Sequence, residues 1–308
     1  MRISRSCGLA IVGLVSGTCL GAVNTYHIGN SLTNDMLSGN LTGMSAQRGV
    51  EHNVGYHIRS SAFLAHTLAN PDDLSVTPPA PYGNYANALP NYQWDAVAFQ
   101  PYKGWPNGST LSSDVQAISQ LVNLTHTNPA NSATRFYMYA AWPNITLSSA
   151  DPLEYQTQWL RTTMQTPTEP TILARQYFVD LYEALSGSVK MIPAGEVLYA
   201  LDLEMRAGEI PGFSGVAALY RDDYHMNDLG KHIAAYTAYA TMFAETPVGL
   251  AYYGTTQVTP ETLQLIQESV WQTVTSSPYT SVPEPSAIGL CLVVLAFGAG
   301  QRRRRTAQ

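Results

Sequence analysis

The chain has 308 residues, of which 22 are acidic and 16 basic, so its formal net charge at pH 7 is −6. An acidic chain repels nucleic acids and anionic membrane surfaces, so neither is an expected partner. The three cysteines are Cys7, Cys19 and Cys291. Residues 23–281 therefore hold no thiol for a disulfide, a cysteine nucleophile or a cysteine-ligated metal.

The first 22 residues have the pattern of a secretory signal peptide. Arg2 and Arg5 precede an apolar run over residues 7–20, and the small residues Gly21 and Ala22 follow. A basic start, an apolar middle and a small-residue end are the features that signal peptidase recognises. We therefore expect cleavage after Ala22, signal peptidase as a partner and export across the inner membrane.

Strand and helix signals alternate along residues 23–246, which are expected to form one domain. Strands are predicted over 23–28, 50–58, 94–100, 135–142 and 189–192. Helices are predicted over 32–48, 62–68, 111–127, 153–164, 171–185 and from Asn227 to about residue 245, with a loop over 71–92 and a helical extension and linker over 247–281. This alternation predicts an α/β fold: a flavodoxin-like three-layer sandwich with a parallel five-stranded sheet.

The C-terminal segment, residues 282–308, contains Pro283-Glu284-Pro285, an apolar stretch over 287–300 and then four arginines. It resembles a PEP-CTERM sorting signal, which implies exosortase as a partner and a Gram-negative bacterium as the source. The alternative is a retained membrane anchor with its arginines in the cytoplasm. Fourteen residues at ~1.5 Å each reach only ~21 Å, short of a ~30 Å hydrocarbon core, so the length favours a processed tail.

Two short blocks near opposite ends of the domain carry candidate chemistry: Gly29-Asn30-Ser31-Leu32 after the first strand, and Asp222-Asp223-Tyr224-His225 near the last helix. A serine hydroxyl becomes a nucleophile when a histidine takes its proton and a carboxylate orients that histidine. In a sheet of order 2-1-3-4-5, ligands bind beyond the carboxyl ends of strands 1 and 3. Ser31 follows strand 1 and Gln100 follows strand 3, so both are expected at this crevice.

Together the two blocks resemble those of the SGNH (GDSL-type) hydrolases, over most of residues 23–246. The resemblance implies a Ser-His-Asp triad with Ser31 as nucleophile, His225 as general base and then acid, and Asp222 as the residue that orients His225. It implies no metal and no cofactor. Each residue also has a structural alternative: Ser31 as a helix cap, Asp222 as a turn residue and His225 as a structural histidine.

The same resemblance implies three donors to the oxyanion, and here the chain departs from the family pattern. One donor is the backbone amide of the nucleophile, Ser31. The second is expected from a glycine, and Ser61 takes its place within residues 58–64. The third is expected from an asparagine side chain, for which Gln100 is the substitute. The alternative for Gln100 is a hydrogen-bonded amide at a strand end.

Aromatic and histidine side chains are further candidates for binding. Tyr82, Tyr85, Tyr92, Tyr102, Trp105 and Trp142 are dense in predicted loops. They would suit stacking on sugar rings at the crevice, or else form the cores of those loops. His52 and His57 lie on one predicted strand at positions that face opposite ways, so a zinc site there is not expected.

The sequence thus predicts an exported serine esterase that hydrolyses an ester, with O-acyl groups on an extracellular polysaccharide as the candidate substrate. Its expected location is the cell surface or extracellular matrix, with transient anchoring by the C-terminal tail. The alternative is a non-catalytic cell-surface or biofilm matrix protein that keeps the fold. The altered oxyanion blocks favour this alternative.

Overall fold

A parallel five-stranded sheet forms the centre of the computed structural model, which describes residues 22–102, 110–161 and 174–283. The strand order is β2-β1-β3-β4-β5, and every neighbouring pair is parallel. The strands are β1 (Val23–Gly29), β2 (His52–Ile58), β3 (Ala96–Phe99), β4 (Arg135–Tyr139) and β5 (Lys190–Ile192). The predicted fold and strand order are therefore confirmed.

Helices cover both faces of this sheet. They are α1 (Ser31–Ser38), α2 (Leu41–Gln47), α3 (Leu64–Ala69), α4 (Tyr85–Asn91), α5 (Leu111–His126), α6 (Glu154–Trp159), α7 (Arg175–Ala184), α8 (Ala194–Ala207), α9 (Asp228–Phe243) and α10 (Pro260–Ser276). Helices α1, α2, α8 and α10 all contact α9, whereas α3, α4 and α7 all contact α5. The two groups make the outer layers of a three-layer sandwich.

The central strands are buried on both faces. All four residues of β3 are buried, as are the last five of β1, including Tyr26 and Ile28. Continuous apolar strands are typical of a parallel sheet covered by helices on each side. The loops at the carboxyl ends of β1 and β3 therefore start from a rigid base.

The predicted helix over 32–48 is wrong in its continuity, because the structure divides it into α1 and α2 at Gly39 and Asn40. A Cβ on residue 39 would lie 2.1 Å from the carbonyl oxygen of Lys231 on α9, so only glycine allows this close approach. Asn40 then takes the left-handed conformation, with φ of 72°, and turns the chain. The packing of α9 thus ends α1 after two turns.

Two helices lie where none was predicted. The predicted loop over 71–92 contains α4, whose N-cap Asn84 accepts a hydrogen bond from the backbone N–H of Asn87 at 3.1 Å. Its Pro90 lies in the last turn. Helix α8 was missed although Val197, Leu201 and their neighbours have helical spacing and Gly208 follows as a left-handed C-cap.

The predicted signal peptide apart from Ala22 and most of the predicted sorting tail lie outside the described residues, as do Trp105 and the predicted helical residues 162–164 and 171–173. Val282, the first residue assigned to the tail, is buried in the core cluster. The predicted extension over 247–281 contains α10, which packs on α8 and α9. Among the helices described, none is both long and apolar enough to cross a membrane.

Candidate active site

Ser31 is the first residue of α1, immediately beyond the end of β1. The N-cap residue Asn30 accepts a hydrogen bond from the backbone N–H of Leu32 through Oδ1 at 3.0 Å. The Ser31 side chain is half-buried, so its hydroxyl faces the crevice at the carboxyl end of the sheet. The positive end of the α1 dipole lies at the same place and favours negative charge there.

The structure brings the three residues of the predicted triad into contact. Ser31 Oγ lies 3.0 Å from Nε2 of His225, and His225 Nδ1 lies 2.9 Å from Oδ1 of Asp222. A carboxylate only accepts hydrogen bonds, so Nδ1 carries the proton and Nε2 is the acceptor for the serine hydroxyl. This is the tautomer that a general base needs.

A tight loop presents both His225 and Asp222. Tyr220 and Met226 form an antiparallel bridge, and the backbone N–H of Arg221 donates to the carbonyl of His225 at 2.9 Å. Asp222 Oδ1 also accepts the backbone N–H groups of residues 224 and 225 at 2.9 and 2.8 Å. Partial burial raises the pKa of Asp222, but these hydrogen bonds and the imidazole outweigh it, so the net shift is downward.

Asp223 faces away from the imidazole. Its Oδ1 accepts the backbone N–H of Leu147 at 2.9 Å, and its carbonyl accepts that of Ile145 at 3.0 Å. The Trp142 indole donates to the carbonyl of Tyr224 at 2.9 Å. These contacts fasten the loop 220–226 to the segment after β4, so the position of His225 is fixed from two sides.

In the first turn of α1, the backbone N–H of Ser31 remains free to donate a hydrogen bond to a ligand. The amide of Leu32 donates to the Asn30 side chain, that of Thr33 to Gln100 and that of Asn34 to the Asn30 carbonyl. The Ser31 N–H has no acceptor within the part of the chain that the structure describes. An unpaired amide on the nucleophile itself is the usual first donor of an oxyanion hole.

Ser61 lies in the loop after β2, and two hydrogen bonds join this loop to residues 29 and 30, which precede Ser31. The N–H of Arg59 donates to the carbonyl of Gly29 at 3.0 Å, and the Asn30 side chain donates to the carbonyl of Ala62 at 3.4 Å. Ser61 is exposed and has φ of 59°, so it adopts the left-handed conformation that glycine takes most readily. Its N–H has no acceptor among the described residues.

Gln100 lies at the end of β3, 1 % exposed. Its Oε1 accepts the backbone N–H groups of Asn30 and Thr33, each at 3.1 Å, and the Thr33 hydroxyl at 2.6 Å. Three donors fix the carboxamide orientation, and the buried Nε2 has no acceptor within the described ranges. A Cβ on Gly29 would lie 2.8 Å from Oε1, so this approach requires glycine. The contacts of Gln100 hold the start of α1, and its expected role as an oxyanion donor stays a prediction.

The aromatic residues expected at the crevice mostly form loop cores. Tyr82 and Tyr92 pack with tilted rings against the buried Trp94, and Tyr85 and Trp142 are buried. The exposed ring beside the triad is instead that of Tyr224, which is 49 % exposed, with its centroid 6.3 Å from that of His225. The sequence signal for it was its position between Asp222 and His225.

The buried histidines of β2 lie on opposite faces of the sheet, as predicted. His52 packs against Phe243 of α9, and His57 packs against Tyr85 of α4. Burial lowers the pKa of each to about 4, so both are neutral at pH 7.

No family model matches the chain, and no curated protein matches it in sequence. Several solved structures are similar in fold. A DUF4886 family protein from Bacteroides uniformis has a TM-score of 0.57 and 15 % identity, with 83 % of this chain and 95 % of that one covered. A protein from Parabacteroides merdae described as a GDSL-like lipase has a TM-score of 0.42 and 11 % identity, covering 72 % of this chain and 95 % of that one.

A two-domain esterase active on acetylated mannans has a TM-score of 0.38 and 11 % identity, with 86 % of this chain and 53 % of that one covered. What the chain shares with the Bacteroides uniformis protein is the α/β architecture with its central sheet.

Proposed function

We propose that the protein is a serine esterase. The observation that carries the proposal is the continuous contact from Ser31 Oγ through His225 to Asp222, at a helix start where the Ser31 backbone amide is unpaired among the described residues. Each residue has an ordinary structural role when taken alone. Together they give the nucleophile, base, orienting acid and oxyanion donors that acyl transfer requires.

In the proposed first half-reaction, His225 Nε2 takes the proton of Ser31 while Oγ forms a bond to the ester carbonyl carbon. The amides of Ser31 and Ser61 receive the negative charge on the carbonyl oxygen. The bond to the alcohol then breaks, and Nε2 returns the proton to the departing alkoxide. Asp222 keeps Nδ1 protonated and stabilises the imidazolium that forms between these steps.

In the second half-reaction, a water molecule takes the place of the alcohol. His225 removes its proton as it attacks the acyl carbon, the bond from carbon to Oγ breaks, and the proton returns to Ser31. The products are the free acid and the unmodified enzyme. The same groups serve both halves, as microscopic reversibility requires.

Labelling by a fluorophosphonate tests this proposal directly, because the reagent reacts with an activated serine whatever the natural ester is. We expect one adduct per chain, on Ser31, and none in Ser31→Ala or His225→Gln. Hydrolysis of p-nitrophenyl esters from acetate to octanoate then gives the preferred acyl length. A folded parent protein that is neither labelled nor active on any of these esters, nor on acetylated glycans, would refute the esterase proposal.

The alternative function is a non-catalytic surface or matrix protein with this fold. The burial of Gln100 Nε2 favours it, because the atom expected to provide the third oxyanion hydrogen bond is not accessible to solvent. The absence of labelling together with binding to a polysaccharide would support this alternative.

We further propose an exported protein whose substrate is an O-acylated extracellular polysaccharide. The signal-like residues 1–22 and the tail over 282–308 support export and sorting through signal peptidase and exosortase. Residues 23–281 carry 10 basic and 21 acidic residues, a net charge of −11, which suits neutral or weakly charged glycans better than polyanions. The exposed ring of Tyr224 beside His225 offers a surface for a sugar.

Mass spectrometry of the protein from its native host tests the processing. We expect a mature N-terminus at Val23 and loss of residues after the Pro-Glu-Pro motif. A chain that keeps residues 287–305 in the membrane fraction would instead support the permanent anchor.

A further inference from the structure

Asp35 is a buried carboxylate that joins α1, the nucleophile helix, to the loop over residues 220–226, the histidine loop. It lies on α1, one turn after Ser31, and its side chain is 2 % exposed. Asp35 Oδ2 accepts the backbone N–H of Met226 at 2.9 Å, and Oδ1 accepts a hydrogen bond from Arg221 Nη1 at 3.3 Å. The two donors belong to the residues that flank Asp222 and His225.

The contact joins residues 191 positions apart in the chain. It is the direct side-chain connection from α1 to the backbone next to His225, because Met226 follows His225 immediately. In an α-helix, residues four apart lie on the same face, so Asp35 and Ser31 point toward the same loop. The separation between Ser31 Oγ and His225 Nε2 therefore depends on this carboxylate.

The charge of Asp35 also acts at the triad. The titratable groups that face Asp35 are Arg221 and His225 from the loop and Lys231 from α9, and the Tyr139 phenol of β4 is also nearby. Asp222 is 47 % exposed on its side chain, so solvent screens its charge, whereas Asp35 is shielded from water. A buried negative charge stabilises a nearby imidazolium more effectively than an exposed one.

We infer that Asp35 is a second carboxylate of the active site, a positioning residue that holds the histidine loop on the nucleophile helix and places a buried negative charge beside the triad. This inference rests on the proposed function. It adds a residue that neither sequence block contains. Burial raises the pKa of Asp35, and the Met226 N–H and Arg221 only partly oppose that shift, so ionisation of the group depends on the same contacts.

The test is Asp35→Asn, which keeps an oxygen for the Met226 N–H and removes the charge. The primary measurement is the NMR titration of the His225 ring, identified by the signal that His225→Gln loses. We expect the midpoint to move to lower pH by about 0.5 to 1 pH unit. This measurement needs no turnover, so it separates a failure of the Asp35 inference from a failure of the esterase proposal.

Where ester hydrolysis is measurable, we expect kcat of Asp35→Asn to fall by about 10- to 100-fold with little change in KM. The matched control is Asp202→Asn. Asp202 is equally buried, accepts the backbone N–H of Val216 at 2.8 Å and pairs with Arg206 at 2.7 Å, but contacts no triad residue. We expect the control to leave both the His225 titration and kcat unchanged.

If Asp35→Asn does not fold, Arg221→Gln decides the question. It removes the cation that lies 3.3 Å from Asp35 and also 3.5 Å from Asp222, whose side chain is open to solvent. We expect the His225 midpoint to move to higher pH. The inference is overturned if the His225 midpoint is unchanged in a folded Asp35→Asn, or in Arg221→Gln where that is the variant studied. It is also overturned if Asp202→Asn shifts the midpoint equally.

Discussion

Ser31 Oγ lies 3.0 Å from His225 Nε2, although the two residues are 194 positions apart in the chain. The sheet explains this contact. β1 ends at Gly29, two residues before Ser31, and the segment after β4 holds the histidine loop at the same edge of the sheet. Parallel strands place all their carboxyl ends at one edge of the sheet. Residues from the start and the end of the domain thus share one crevice.

The two neighbouring aspartates give a matched pair of variants. Asp222 contacts the imidazole and Asp223 contacts the backbone of Leu147. We expect Asp222→Asn to lower kcat by about 10²- to 10⁴-fold, because the wrong tautomer of His225 becomes favoured. Asp223→Asn keeps an oxygen acceptor for Leu147 and should retain activity within about threefold. Equal loss in the two variants would contradict the assignment of Asp222.

Removal of the nucleophile or base should have a much larger effect. We expect Ser31→Ala and His225→Gln each to lower kcat on p-nitrophenyl acetate by about 10⁴- to 10⁶-fold, with Tm within a few degrees of the parent. The double variant should lose no more than either single one, since the residues act as a unit. Additive losses would mean that Ser31 and His225 contribute separately.

Two substitutions at Gln100 distinguish a structural role of this side chain from a catalytic one. Gln100→Ala leaves three buried donors on Asn30 and Thr33 without an acceptor and should lower the free energy of unfolding by on the order of 3 kcal/mol. Gln100→Glu keeps the acceptor oxygen and has no N–H to donate. If Gln100 only holds α1, kcat of Gln100→Glu should stay within about tenfold of the parent. A drop of about 10²-fold or more without a change in Tm would identify an oxyanion donor.

Tyr224 should bind substrate. Its ring is exposed beside His225 while its backbone is held by Asp222 and Trp142, so it offers a preorganised flat surface. We expect Tyr224→Ala to raise KM for a glycan ester by about tenfold, the equivalent of ~1.4 kcal/mol, with kcat little changed. Tyr253, another exposed tyrosine, is the control, and Tyr253→Ala should leave KM unchanged. Equal KM values in the two variants would exclude this contact.

The buried histidines make the fold sensitive to acid. Burial lowers the pKa of His27 to about 3 and those of His52 and His57 to about 4, whereas an unfolded histidine has a pKa of about 6.5. Between these values the unfolded chain binds more protons. The free energy of unfolding should therefore fall as pH drops from 6.5 toward 4, by up to about 1.4 kcal/mol per pH unit for each histidine.

Urea denaturation at pH 7, 6 and 5 checks this dependence. His57→Phe removes one of the three groups, and its plot of unfolding free energy against pH should be less steep than that of the parent. Equal free energies of unfolding at pH 7 and pH 5 in the parent would contradict the prediction.

Local patterns determined the parts of this protein that depend on neighbours in the chain. Apolar runs and helical spacing predicted the strands and the placement of Ser31 after the first strand. The spacing of Asp222 and His225 predicted their contact, since three residues fit one tight loop. The missed α8 has a clear helical period, so the sequence contained that helix too.

Tertiary contacts decided the rest. The end of α1 depends on the close approach of Gly39 to Lys231. The orientation of the Gln100 amide depends on donors some 70 residues earlier in the chain. The position of Asp35 depends on its hydrogen bond with Met226. Hydrogen bonds and close packing between distant segments produce no periodic pattern in the sequence, because each such contact depends on a single pair of atoms. Only the folded sheet, which places these segments at one edge, determines which side chain meets which.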